Sequence, residues 1–418
     1  RLGCGFFVSL YCCCRSYMNM LAYSMIKSKQ QQASVVFGLE HFLDDPRRYN
    51  KRYGLATNPA AITSRGIPSW KAFMEHGIIP VCLFGPEHGF RGAAQDAVEL
   101  DDEVFRGIPA YSLYGKRLRP EPWMLESLDA LVFDMQDVGC RYYTYLYTLA
   151  YIMEACAKVG TALIVLDRPN PIGGSKVEGS PIPKELESFV GGYGLPARYG
   201  MTIGEFALYL HGEYYPNCRL ELIEMSGWDS RPAWIETNLP WPLPSPNLPT
   251  LSCAELYPGT CLVEGTWLSE GRGTSRPFEI IGAPFIDGEA LREQLAALEL
   301  PGIVFISLFF SPTTSKYKGE LCEGVLISLT DREALRSLDT GIALIHTINR
   351  MYPNEFRWRE DWDDKELSFF DKLAGGTTLR FMIISGAPLE DCLEFAHRGE
   401  KEFLRIREKY LRYGTQKG

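Results

Sequence analysis

Four stretches of the chain gather side chains that can move protons or hold anions. "LFGPEHGFRG" (83–92) sets Glu87, His88 and Arg91 among glycines directly after an apolar run. A turn requires glycine and at most a polar cap. An acid, an imidazole and a guanidinium together therefore suggest a general acid or base at Glu87, the plainer alternative being a turn acid or a helix-N-terminal acid. His88 is the one histidine of six at an expected strand end, whereas His76, His211, His346 and His397 fall on helical segments. "FDMQDVGCRYYTY" (133–145) carries Asp134, Gln136, Asp137 and Arg141 ahead of a long helix whose first amides favour anions, although Asp137 could equally cap that helix. Tyr143, Tyr147 and Tyr151 share one helical stripe and read as core, which leaves Tyr142 or Tyr145 to meet a sugar ring or hydroxyl. "LDRPNPIGG" (166–174) brings Asp167, Arg168 and Asn170 to a proline-stiffened loop, either as substrate contacts or as a structural Asp–Arg pair. "YPGTCLVEGTWLSEGRGTSRPFEIIGAP" (257–284) adds Glu264, Glu270, Arg272 and Arg276 between small residues that let a backbone approach an anion; a turn-rich hairpin is the alternative.

Absent motifs narrow the chemistry. No G-x-G-x-x-G follows a strand, "GRGTS" lacks the Walker lysine, and there is no G-x-S-x-G, H-E-x-x-H or paired Cys/His spacing. Neither a cofactor nor a metal is expected. What remains is carboxylates, arginines and aromatics, and paired carboxylates are the usual means of cleaving a glycosidic bond.

Such a site needs a scaffold that gathers distant loops. Apolar runs at 34–39, 53–58, 78–85, 108–115, 130–137 and 161–169 read as strands, most of them buried on both faces. Helices are expected at 69–77, 121–128 and 143–160. The pattern predicts an α/β fold: a Rossmann-like, doubly wound, mostly parallel sheet. Ligands then sit beyond the carboxyl ends of the strands, where Asn58 after the second run joins the loops above. A helix at 202–215 and a Pro-rich crossover at 239–250 follow. Strands at 302–310 and 322–330 with helices at 287–299 and 331–352 make a smaller α+β C-terminal domain. The divisions are 1–33 unassigned, 34–238 for the catalytic domain and 239–418 for a domain completing the cleft.

At 418 residues the chain has room for two cores. Its net charge of −9, without clustered Lys and Arg, disfavours nucleic acid as a partner. Residues 1–24 fit either an export signal or translated upstream sequence, and no later run is long enough to span a membrane. Of twelve cysteines, four crowd positions 4–14 and eight are scattered without C-x-x-C pairs, which favours a reducing compartment unless the first segment directs export.

Taken in order, "GPEHGFRG", "FDMQDVGCRYYTY", "VLDRPNPIGG", "RYGMTIGE", "PSPNLPT" and "YPGTCLVEGTWLSEGRGTSRPFE" resemble the successive motifs of the exo-β-N-acetylmuramidase NamZ family, from about Gly38 to Lys417. The resemblance implies a two-domain enzyme with its site in the cleft between the domains. Its substrates would be peptidoglycan-derived MurNAc-GlcNAc saccharides, and its reaction the release of N-acetylmuramic acid from their non-reducing end. It implies Glu87 as the leading catalytic acid/base, with His88 and Asp137 also catalytic, Asp134, Arg168 and Asn170 lining the pocket beside them, and Glu270 and Arg272 reaching in from the second domain. Arg141 or Arg272 would hold the lactyl carboxylate of the sugar. Tyr199 stands where the family usually has His in "RHGMT". Rival readings are a non-catalytic sensor of wall fragments and an enzyme acting on a phosphosugar.

Overall fold

The computed structural model describes residues 35–87, 89–91, 101–229, 234–237, 239–360 and 367–414. The N-terminal segment and His88 lie outside the described residues.

Seven strands form one sheet in the order β3-β4-β2-β1-β5-β6-β7: β1 (Tyr53–Thr57), β2 (Cys82–Gly85), β3 (Glu103–Phe105), β4 (Ile108–Ser112), β5 (Ala130–Asp134), β6 (Ala162–Leu166) and β7 (Leu220–Ile223). All neighbours are parallel except β3, which pairs antiparallel with β4. Alternation along the central strands sorts two cores. Leu131, Phe133, Leu163 and Val165 bury on one face, and Ala130, Val132, Ile164 and Leu166 on the other. The chain leaves β1 towards β2 and later returns to β5 on the other side of β1, so the switch point for ligands lies beyond Thr57 and Asp134.

Helices α1 (Gly38–Leu43), α2 (Ser69–Glu75), α3 (Pro122–Leu125), α4 (Tyr145–Val159) and α5 (Ile203–Glu213) flank this sheet. The run at 34–39 is not the strand expected from its β-branched residues. Only Val36 bridges, to Ser226, and α1 begins at Gly38 because Glu40 folds back to accept from the Phe37 amide at 3.0 Å. Gly38 is required there, since a Cβ would lie 2.3 Å from the Ile223 carbonyl oxygen. The helix expected at 121–128 shortens to one turn, α3.

Beyond the Pro-rich stretch come α6 (Leu251–Thr260), α7 (Gly288–Ala296) and α8 (Ser337–Met351), with an antiparallel sheet β8-β10-β9 built from β8 (Ile280–Ala283), β9 (Ile303–Phe310) and β10 (Cys322–Leu329). The helix expected from 331 starts only at Ser337, because Asp331 spends its carboxylate on the amides of Glu333 and Ala334 in a tight turn. Four short helices follow: α9 (Phe369–Ala374), α10 (Thr378–Ile384), α11 (Leu389–Ala396) and α12 (Glu400–Arg407). The chain then returns to the first domain, where Tyr413 donates to the buried Asp167 carboxylate at 2.6 Å. The eight described cysteines are all buried and unpaired, and no described helix is long and apolar enough to cross a membrane.

In the second domain α6 and α8 approach backbone to backbone at two glycines. Cβ atoms added at Gly259 and Gly341 would lie 1.8 Å from the Ser337 carbonyl oxygen and 2.1 Å from the Gly259 carbonyl oxygen. Backbone cannot yield as a side chain can. Gly341→Ala is expected to lower the free energy of unfolding by about 3 kcal/mol in urea titration. A loss below the roughly 0.5 kcal/mol of an ordinary surface change would mean that the helices can part.

Candidate active site

Four loops of the first domain, the Pro-rich stretch and several segments of the second domain, its glycine-rich one among them, enclose a cleft of about 600 Å³. Glu87, two residues past β2, enters it half-buried. Its orientation comes from Thr144, which sits at the N-cap position of α4 but makes no cap; its hydroxyl instead donates to Glu87 Oε2 at 2.8 Å. Tyr142 and Tyr143 line the cleft beside it. Tyr143 is thus not simply core, as its stripe suggested. Its ring borders the cavity while its hydroxyl donates to the Pro244 carbonyl at 2.7 Å, tying α4 to the Pro-rich stretch.

Opposite stand Glu264, Glu270 and Arg272, in a chain of alternating charge. Arg272 lies 3.2 Å from Glu264 and 3.1 Å from Glu270, and Lys316 closes the chain 2.9 Å from Glu270. Lys316 also donates to the Leu268 carbonyl at 2.9 Å, so it pins the segment as well as the charge. Burial, reinforced by the like charge of Glu270, raises Glu264 well above the usual carboxylate range despite Lys316 and Arg359. Burial likewise lowers Arg272 to about 10, against the attraction of Glu87. Arg359 and Lys372 complete the cationic lining, with Tyr114, Tyr257 and Phe278 as aromatic wall.

The structure separates the expected site residues into three groups. Glu87, Tyr142, Glu264, Glu270 and Arg272 line the cleft. Asn58, Asp134, Gln136, Asp137, Arg168 and Asn170 do not; they form a buried layer beneath the loops. Arg168 grips Asp134 through Nε and Nη2 at 2.5 and 2.9 Å and donates to the Ile62 carbonyl at 2.7 Å. Asn58 donates to the Tyr145 hydroxyl at 3.0 Å, Gln136 to the Asp137 and Pro169 carbonyls at 2.8 Å, and Asn170 to the Met201 carbonyl at 2.9 Å. Their donors go to backbone carbonyls and to neighbouring side chains and so tie the loops together, while Asn58 Oδ1, Gln136 Oε1 and Asp137 Oδ1 have no hydrogen-bond partner. Two residues fall elsewhere. Arg91 is exposed and pairs with Glu103 at 2.7 Å, and Arg141 donates to the carbonyls of Ser180, Leu195 and Leu373 at a second cavity.

Asp137, expected to be catalytic, is 4 % exposed and accepts from the Gly139 amide at 2.6 Å and from the Tyr199 hydroxyl. Tyr199 therefore meets a buried carboxylate under the site and does not line the cleft. Arg359, Lys372 and Lys316 were not singled out from the sequence. The two cleft-lining cations come from the C-terminal region and Lys316 from the β9–β10 loop, none carrying a motif of its own.

The first of two family models matching the chain, described as exo-beta-N-acetylmuramidase NamZ, N-terminal, covers residues 53–252; the second, described as the C-terminal part of the same protein, covers 255–413. Among curated proteins, the peptidoglycan beta-N-acetylmuramidase NamZ of Bacillus subtilis (strain 168) is 43% identical over 394 residues, covering 92% of this chain and 94% of that protein. Two crystal structures of DUF1343 family proteins from Bacteroides fragilis NCTC 9343 are also similar. One has a TM-score of 0.82 at 34% identity and the other 0.72 at 30%, each covering 91% of this chain and 99% of its own.

Burial, outweighing the Tyr199 and Gly139 hydrogen bonds, raises Asp137 from 3.8 to about 6. Between those values the folded protein keeps a proton that the unfolded chain has released. The stability Asp137 contributes is thus greatest at low pH and declines as pH rises through the window. Asp137→Asn should remove that decline, gaining on the order of 2 kcal/mol on the parent between pH 4 and pH 7 in urea denaturation. Parallel stability-against-pH curves for the two proteins would count against it.

Proposed function

The chain belongs to the exo-β-N-acetylmuramidase NamZ family, and on that premise we propose that it is a glycosidase releasing N-acetylmuramic acid from the non-reducing end of peptidoglycan fragments. The observation that carries the reading is that Glu87, from the sheet edge, shares one cleft with Glu264 and Glu270 from the second domain. Its volume of about 600 Å³ is in the range of sites that enclose small ligands.

Cleaving a glycosidic bond requires a proton at the bridging oxygen and assistance at the anomeric carbon. We assign the proton transfer to Glu87, whose carboxylate is aimed by Thr144 at the first turn of α4. Glu264, biased towards its protonated form, is a poor nucleophile and a good hydrogen-bond donor. Orienting the acetamido group of the substrate, which can itself attack, suits it better than direct attack. With Glu264 protonated, Glu270 is the one carboxylate between Arg272 and Lys316. That trio then carries net positive charge, and Arg272 is the group we assign to the lactyl carboxylate. The division between the two domains falls, on this reading, in the Pro-rich stretch 239–250, from which Asn247 and Leu248 reach the cleft.

Glu87→Gln should reduce release of the sugar from a chromogenic muramic-acid glycoside by about a thousandfold while leaving the melting temperature in place. Turnover near the parent's rate would remove Glu87 from its role. Thr144→Val, which keeps shape and loses the hydroxyl, should lower kcat about tenfold with little change in KM. A rise in KM alone would make Thr144 a binding residue.

A further inference from the structure

One wall of the cleft carries a turn whose composition its own fold does not explain. Around Ser188 and Gly191 the chain makes a tight hairpin: the Ser188 amide donates to the Gly191 carbonyl at 2.6 Å, and the Gly191 amide returns to the Ser188 carbonyl at 3.2 Å. Its base is fixed by the Tyr193 amide, which donates to Glu187 at 2.8 Å. The two residues at the tip are Phe189 and Val190, where turns ordinarily place Gly, Asn, Asp or Pro. Both are half-buried, and both line the cleft. The Phe189 ring is held by tyrosines: it stacks on Tyr151 at 6.2 Å and leans on Tyr147 and Tyr114 at 6.0 and 5.9 Å. Tyr114 reaches the same cleft from the loop after β4.

Helix α4 sets the distance from this ring to the acid. Thr144, which holds Glu87, stands at the start of α4, and Tyr147 and Tyr151 follow one and two turns further along it. At a rise of about 1.5 Å per residue the ring lies roughly 5–10 Å along the helix axis from the carboxylate. That is the offset of a neighbouring sugar ring, beyond the bridging oxygen that Glu87 serves. We propose that Phe189, flanked by Tyr114, is the platform for the sugar on the leaving side of the scissile bond, an N-acetylglucosamine whose apolar face lies on the side of the ring turned to the cleft. The proposal rests on the muramidase reading, in which Glu264, Glu270 and Arg272 serve the muramic acid and the turn serves what departs. A pyranose with equatorial substituents presents a flat face of C–H bonds, which an aromatic ring covers without needing a charge. Contact with this remote ring aligns the bond with Glu87, so that its binding energy is available to the step at the bridging oxygen.

The test uses MurNAc-GlcNAc as substrate and free N-acetylmuramic acid as an inhibitor that occupies only the other side of the bond. Phe189→Ala should lower kcat/KM for the disaccharide about tenfold, the scale of one aromatic contact, and leave the inhibition constant of N-acetylmuramic acid within about twofold. Phe189→Leu, which keeps apolar bulk and loses the flat ring, should show the same loss and serves as the reading if the alanine variant does not fold. Phe189→Tyr, which keeps the ring, should stay within about twofold of the parent. A fall in kcat/KM matched by an equal rise in the inhibition constant would make Phe189 a support of the whole cleft. Unchanged kcat/KM in Phe189→Ala, or parental kcat/KM in Phe189→Leu, would remove the ring from substrate binding. Each of these overturns the proposal. A parent protein that does not cleave MurNAc-GlcNAc overturns the muramidase reading and the platform with it, whereas a parent that cleaves it as fast as Phe189→Ala overturns the platform alone.

Discussion

The ion pair between Arg168 and Asp134 governs the geometry of the cleft, because it fixes the carboxyl ends of β5 and β6 to each other and to the loop after β1. Both side chains are out of solvent, at 1 and 0 % exposure. A guanidinium buried this deeply is tolerable only when every strong contact is met. Here two bonds go to Asp134 and one to the Ile62 carbonyl. Loss of either partner would strand a charge beneath the loops that carry Tyr142, Tyr143 and Thr144. The rigidity of that layer lets Thr144 present its hydroxyl to Glu87 instead of capping its own helix.

The second domain completes the site by a different device. Nothing in its three-stranded sheet resembles the switch point of the first, and its contribution is the segment 264–272 held by charge alternation. Glu264, Arg272, Glu270 and Lys316 follow one another at 3.2, 3.1 and 2.9 Å. Burial and the like charge of Glu270 hold Glu264 above the usual carboxylate range, against the pull of Lys316 and Arg359. A carboxyl group so placed is biased towards its protonated form, which is one way an environment sets the chemistry of a carboxyl group.

Much of this was legible in the sequence, and the failures have identifiable causes. The buried strands β1, β2, β5 and β6 and the helix α4 follow from continuous apolar runs and from the left-handed glycine at 160. Strands β3 and β7 escaped notice because edge strands alternate with charge, as in Glu103 and Glu221. That Glu87, Glu264, Glu270 and Arg272 would line a cleft was readable, since polar groups in glycine-rich loops seldom serve packing alone. Asp134, Gln136, Asp137, Arg168 and Asn170 share the same motifs yet lie one layer down. Spacing reports which loops converge on the sheet edge but not which side chains turn outward, a choice set by satisfied backbone groups such as the Pro169 and Met201 carbonyls.

That layered arrangement also accounts for Tyr199. A position that contacts substrate tolerates few replacements, whereas one that supports a buried carboxylate demands only a donor at the right distance. The Tyr199 hydroxyl supplies one to Asp137, inside a pocket closed by Phe206 and with neither residue on the cleft. Both an imidazole and a phenol can donate to a carboxylate there, but only the imidazole can take a second proton near neutrality. The Tyr199 phenol gives Asp137 a donor that takes up no second proton near neutrality. The charge under the loops is then set by Asp137 alone at that contact, and the cleft above is left to the balance among Glu87, Glu264, Glu270 and Arg272.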